Sequence, residues 1–164
     1  MRKAQREIKD IHAILDVLDR CQTIRMALNG DTFPYIVPLS FGWEQVDGKI
    51  YIYFHCAKEG KKIDLIAENN AVCLETDLLD GYVKTERGVT ADYKSVIARG
   101  YAEQVFGEHA IHGIELLLKH CGIEGYSAKN CVLTNVVAVY RITIEEITGK
   151  ARFAENPASA QAKS

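Results

Sequence analysis

Asp47-Gly48 separates two runs of alternating apolar and polar residues, and this arrangement restricts the possible folds more than any other feature of the chain. Asp-Gly accepts positive φ at both central positions of a tight turn, as two-residue hairpins require. Beyond it, Ile50, Ile52 and Phe54 face one way and Tyr51, Tyr53 and His55 the other, the period-two pattern of a strand. Residues 42–46 and 49–55 are therefore expected to form a hairpin. Asn29-Gly30 gives a second signal of this kind, between expected strands at 22–28 and 33–41. Pro34 and Pro38 place the second of these strands at a sheet edge or on a bulge.

Further strands are expected at 71–77, at 93–106 with a bend at Gly100, and at 133–147, where β-branched residues dominate. Asp10 can cap a helix that runs to about residue 20, with Ile11, Ile14, Leu15 and Leu18 as its apolar stripe. A short helix is expected at 60–69, with Ile63 and Ile66 inward and Asn69-Asn70 as its stop. An amphipathic helix is expected at 108–121, with Ile111, Ile114, Leu117 and Leu118 inward. Residues 78–92, mixed in charge and containing glycine, read as a loop. The strands come in consecutive hairpins with helices at their ends, not in βαβ alternation, so a doubly wound parallel sheet is disfavoured. The expected class is mainly β with peripheral helices, an antiparallel small barrel, closed or partly split. One domain over 1–153 and a flexible tail over 154–164 are expected.

The net charge is −2 and no basic stripe occurs, so a nucleic-acid partner is not expected. The longest apolar stretch, 136–144, is interrupted by Arg141 and Thr143 and is too short to span a bilayer. With a charged beginning and no signal-peptide core, the expected location is cytoplasmic and no membrane partner is expected. Cys21, Cys56, Cys73, Cys121 and Cys131 are odd in number and none sits at C-x-x-C spacing, which argues against a disulfide framework or a zinc ribbon.

The most informative stretch for chemistry is His55-Cys56-Ala57-Lys58-Glu59-Gly60-Lys61-Lys62-Ile63-Asp64-Leu65, which joins a strand to a helix. Lysines at a helix start oppose the helix dipole unless an anion lies nearby, so Lys58, Lys61 and Lys62 point to a phosphate. A solvated basic turn is the plainer alternative. The stretch is not a Walker A loop, because His55 stands where that motif needs glycine, and no G-x-G-x-x-G occurs in the chain. In Phe33-Pro34-Tyr35-Ile36-Val37-Pro38-Leu39-Ser40-Phe41-Gly42, the prolines free neighbouring backbone groups that a flat heterocycle could use; on pattern alone a bulged edge strand is the better account. Ser95 is a polar break at the start of an apolar strand. His109 and His112 lie at i, i+3 without an evident third ligand, so no metal site is expected, and a half-exposed helix border accounts for them better.

Taken in order, these segments resemble the pyridoxamine-5′-phosphate-oxidase-like FMN-binding split barrels, and among them the 5-nitroimidazole-resistance proteins. The resemblance runs from Arg6 to about Phe153. Besides the stretches above it includes Arg25-Met26-Ala27-Leu28, Ser95-Val96 with Gly100, and Ile144-Glu145-Glu146-Ile147-Thr148-Gly149-Lys150-Ala151. It implies a six-stranded split barrel and a homodimer with FMN in each of two clefts at the subunit interface. By resemblance, the backbone of Val37, Pro38, Leu39 and Ser40 meets the isoalloxazine ring, and His55 lies at the flavin edge with Cys56 beside it. Lys58, Lys61 and Lys62 hold the phosphate, and Ser95 and Val96 contact the phosphate or ring. Glu59-Gly60 stands where the oxidases proper carry Ser-Arg, which argues against pyridoxamine-phosphate oxidase activity. The implied activity is reduction of a small electron-poor acceptor, nitroaromatic or quinone, with His55 as candidate catalytic residue. Two rival readings are a haem-handling protein on the same barrel and a non-catalytic flavin module with Cys56 as a redox sensor.

Overall fold

The structure, a computed structural model, describes residues 4–86, 88–133 and 136–152. Eight strands form one antiparallel sheet: β1 (Glu7–Ile8), β2 (Ile24–Leu28), β3 (Tyr35–Leu39), β4 (Gly42–Val46), β5 (Lys49–Ala57), β6 (Ala71–Thr85), β7 (Gly88–Val105) and β8 (Val137–Arg152). Four helices accompany them: α1 (Ile11–Arg20), α2 (Lys61–Glu68), α3 (Gly107–His120) and α4 (Ala128–Leu133).

The strand order is β3-β2-β6-β7-β8-β5-β4, with β1 added on β8. The two edge strands, β3 and β4, follow one another in the chain with only Ser40 and Phe41 between them. The sheet therefore rolls until its edges nearly meet, yet no ladder joins them. This is a split barrel. Its inside is filled by Ile24, Met26, Phe41, Ile52, Phe54, Leu74 and Ile142, each almost fully buried. Ile50, Ile52 and Phe54 face this core, as the alternation predicts.

Asp10 caps α1, its carboxylate accepting the His12 N–H at 3.0 Å, and Ile14, Val17 and Leu18 pack with Cys21 and Val96 in a second cluster. The helix α2 sends Leu65 and Ile66 into the main core. Val96, under α1, lies nine residues along β7 from Val105, which pairs with Val139, itself opposite His55 near the end of β5. At the usual strand rise that is roughly 30 Å, so α1 and α2 close opposite ends of the barrel. The third helix lies outside on β4 and β5. It packs so closely that a Cβ on Gly42 would stand 2.4 Å from the Leu117 backbone nitrogen, and one on Gly113 2.6 Å from the Tyr53 ring.

Several expectations change. The sheet has eight strands, not six, and is not closed. Residues 78–92 are not a loop: β6 and β7 continue through them as a ribbon, with a register shift between Leu79 and Gly81. Beyond the pairing of Tyr93 with Arg152 the ribbon has no further neighbour on β8, so it buries no face and leaves Leu79, Tyr82 and Val89 exposed. Without a buried face, no alternation marks it as strand. Asp47 (φ 50) and Gly48 (φ 79) form the expected tight turn. Asn29-Gly30 does not, because residues 29–34 make a longer connection without positive φ there; a Cβ on Gly30 would instead strike the Phe33 carbonyl at 2.4 Å. The β3 strand lies at an edge, as its prolines imply, and pairs with β2 in regular register without a bulge. Residues 128–133 are helical, and the last strand begins at Val137 rather than 133. The expected tail, 154–164, lies outside the described residues.

A Gly42→Ala chain is expected to lose about 1–3 kcal/mol of stability, because backbone of α3 occupies the space and cannot swing aside. Gly48→Ala, with open space around it, is expected to lose only about 1 kcal/mol from its positive φ. Urea unfolding of both variants checks the order.

Candidate functional site

The strand-to-helix corner between β5 and α2 carries the densest group of candidate residues. The N-cap of α2 is Gly60 at φ 124, which supplies no side-chain capping bond. A Cβ there would meet nothing within 4 Å, so the corner is open. The backbone N–H groups of Ile63 and Asp64 donate to the Gly60 carbonyl at 2.8 and 3.2 Å. The N–H groups of Lys61 and Lys62, at the first two positions of the helix, precede these bonds and have no acceptor within it. The Lys61 Nζ stands 5.3 Å from the centroid of the Tyr35 ring, and the Lys62 Nζ 5.4 Å from that of Phe54. Among the described residues no carboxylate lies within ion-pair distance of either amine.

His55 and Cys56 end β5 just before this corner. His55 faces away from the core and is exposed, whereas Cys56 turns inward and packs against the core. Surrounding protein, and then the charge of Lys62, lower the His55 pKa from its ordinary 6.5. The ring is therefore neutral at pH 7, with one nitrogen donating and the other accepting. Burial raises the Cys56 thiol above its ordinary 9.0, with Lys62 opposing the rise. Cys56 is thus a protonated, half-buried thiol and a poor nucleophile.

From this corner β3 leads away. Tyr35, Val37 and Leu39 face the core, while Ile36, Pro38 and Ser40 are exposed. Because β3 pairs only with β2, its second backbone edge has no ladder bonds among the described residues. From Tyr35 to Ser40 this edge spans about 15 Å. Ser95 lies elsewhere, opposite Asp77 on β6 and Lys150 on β8. It shares the outer sheet face with Pro38, whose row continues through Arg25 and Glu75 to Ile97. Three strand spacings, about 15 Å, separate the two strands. The Val96 side chain is buried under α1. Lys58 lines a recess with Gln104, Phe106 and Val137, on the α3 side. The structure thus gathers His55, Cys56, Lys61 and Lys62, aligns Val37, Pro38, Leu39 and Ser40 with them, and sets Lys58, Ser95 and Val96 apart.

Two features escaped the sequence reading. The outer face of the sheet carries a groove of about 490 Å³ lined by Ala27, Pro34, Cys73, Arg99, Tyr101 and Glu146. Its residues come from five separated segments, and no local motif marks it. The second is a polar cluster under α3. The Tyr53 hydroxyl donates to Glu44 at 2.8 Å, and His112 Nε2 meets the other Glu44 oxygen at 2.9 Å. Burial tends to raise the Glu44 carboxyl, but the bonds from His112 and Tyr53 outweigh it and hold its pKa below the ordinary 4.5. Burial and Glu44 push the Tyr53 hydroxyl up to about 12. His112 is thus engaged in tying α3 to β4. Among the described residues no group of three His, Cys, Asp or Glu side chains is arranged to hold a metal. Nor is any helix there long and apolar enough to cross a membrane.

An NMR titration of His55 is expected to show a midpoint below 6.5. Replacing Lys62 by Met is expected to raise that midpoint without fully restoring it, since burial is the larger cause. An unchanged midpoint would place Lys62 away from the imidazole.

No curated protein matches the sequence. Among solved structures, a candidate 5-nitroimidazole antibiotic resistance protein from Bacteroides thetaiotaomicron VPI-5482 superposes with a TM-score of 0.77 at 25% identity, over 88% of this chain and 85% of that one. The FAD and heme binding protein from Mycobacterium smegmatis gives 0.75 at 18% identity, over 97% and 80%. The flavocytochrome Anf3 from Azotobacter vinelandii gives 0.72 at 19% identity, over 100% and 78%. The last two likenesses establish the fold alone. Residues 10–151 match the pyridoxamine 5′-phosphate oxidase family, and with the split barrel built as described, the chain belongs to that family.

Proposed function

We propose that this protein binds FMN and uses it to reduce a small electron-poor acceptor, such as a nitroaromatic or a quinone. The observation that carries this reading is the open α2 corner, where two lysines without carboxylate partners begin a helix whose first two N–H groups have no acceptor within it, at the start of the free β3 edge. The corner fits a phosphate: Gly60 leaves room, and lysines at a helix N-terminus gain most from an anion placed there. Lys61 and Lys62 would hold the phosphate, and the backbone of Val37, Pro38, Leu39 and Ser40 would bond the polar edge of the ring. The likeness to a candidate nitroimidazole-resistance protein and to a FAD and heme binding protein supports a flavin here.

A bound flavin supplies the redox chemistry, accepting and giving hydride at its N5. The chain's part is binding, orientation and electrostatics. The two ammonium groups stabilise negative charge next to them. His55, neutral at pH 7, would offer one N–H at the corner rather than a permanent charge. The protein needs no nucleophile for this chemistry, consistent with the raised pKa of Cys56.

The reading includes a homodimer with the cofactor between subunits. The outer sheet face supports it: Ile36, Ile97 and Tyr101 are 61%, 45% and 53% exposed around the groove. Such a face favours a partner. A symmetric dimer through this face would place Ser95 of both copies in the interface.

In titrations of apoprotein with FMN, Lys61→Met with Lys62→Met is expected to raise Kd at least tenfold, since charge-assisted bonds to phosphate contribute about 1.5–3 kcal/mol each. Unchanged affinity would remove the phosphate assignment. Anaerobic mixing of the reduced protein with a nitroimidazole or quinone then tests turnover; failure to reoxidise would leave a binding module. Sedimentation equilibrium is expected to return twice the 18.3 kDa chain mass.

A further inference from the structure

Lys61 and Lys62 are held differently from the arginines that pair with carboxylates. Arg25, Arg99, Arg141 and Arg152 each bond a carboxylate. The two α2 lysines lie over aromatic faces instead, Lys61 over Tyr35 and Lys62 over Phe54. The difference has an electrostatic consequence. A carboxylate partner holds an ammonium but cancels its field, whereas an aromatic face holds it by its quadrupole and leaves the charge in place. The two rings are fixed by different means. Phe54 is almost fully buried and stacks on Tyr140 at 5.3 Å between centroids with an 8° interplanar angle, so it belongs to the core. Tyr35 is half-buried at the first position of the β3 edge strand. It opens the backbone edge assigned above to the flavin ring.

We propose that Tyr35 is a positioning residue: its ring holds the Lys61 ammonium at the α2 corner with its charge uncancelled, and so gives the site its preference for a phosphorylated flavin over an unphosphorylated one. This deepens, and rests on, the reading of the α2 corner as a flavin phosphate site. The ring itself makes no bond to the phosphate. Its effect runs through Lys61 and is confined to ligands that carry the anion.

The test compares FMN and riboflavin binding by flavin fluorescence in native protein, Tyr35→Leu and Tyr35→Phe, with Lys61→Met and the Tyr35→Leu/Lys61→Met pair as a cycle. Tyr35→Leu is expected to weaken FMN about three- to tenfold, the range of a partly desolvated cation–π contact, and to leave riboflavin unchanged. Tyr35→Phe keeps the ring face and is expected to bind FMN like the native chain. In the Lys61→Met background, Tyr35→Leu is expected to have no further effect. Equal weakening of FMN and riboflavin would make Tyr35 part of the ring wall or the fold and overturn the proposal. So would native FMN affinity in Tyr35→Leu, or an undiminished effect without Lys61. If the native chain binds no FMN while taking up another chromophore, the underlying site reading fails first, an outcome distinct from the others.

Discussion

A sheet whose two edge strands are consecutive in the chain must bring those edges together, and Ser40 and Phe41 are all that joins β3 to β4. Phe41 makes the crossing stable. It is fully buried, its ring lies 4.4 Å from that of His120, and His120 Nε2 donates to the Cys21 carbonyl at 2.7 Å. One aromatic contact and one hydrogen bond thus tie the seam to the end of α3 and the C-terminus of α1. The seam remains without a ladder, and its unpaired β3 edge leaves the backbone groups that the proposed flavin would use. Closing the barrel would satisfy those groups internally and remove the site.

The same economy governs the charges. The chain carries nearly balanced charge, and Arg20, Arg25, Lys94, Arg99, Arg141 and Arg152 lie against carboxylates. At the α2 corner, by contrast, two adjacent cations lie beside a helix N-terminus and against aromatic rings. Such a corner is unfavourable empty and favourable with an anion in place. The His55 pKa is lowered first by the protein packed around its ring and then by the charge of Lys62, which keeps a third positive charge from accumulating there.

Much of this was legible in the sequence where a local rule had a single outcome. Asp10 capped its helix, Asp47-Gly48 made its hairpin, and the alternation across 50–55 gave the right faces. The order of the motifs was enough to indicate the family. The 78–92 ribbon was not legible, because a strand pair that buries neither face leaves no periodicity. Asn29-Gly30 misled, because its glycine answers a close approach to the Phe33 carbonyl rather than a need for positive φ. At the site, the lysine cluster was visible but its partners were not: Tyr35 and Phe54 are brought to it by the roll of the sheet, which no local spacing encodes. Ser95 and Val96 are neighbours in sequence that point to opposite faces of one strand, one to the outer face and one under α1.

The account rests on a flavin at the α2 corner and along β3. The most direct measurement is to record the absorption spectrum of the purified protein, denature it, and identify the released chromophore by chromatography. The account predicts flavin absorption and free FMN in near-stoichiometric amount. A Soret band with released haem, or a colourless chain that does not take up added FMN, would contradict it.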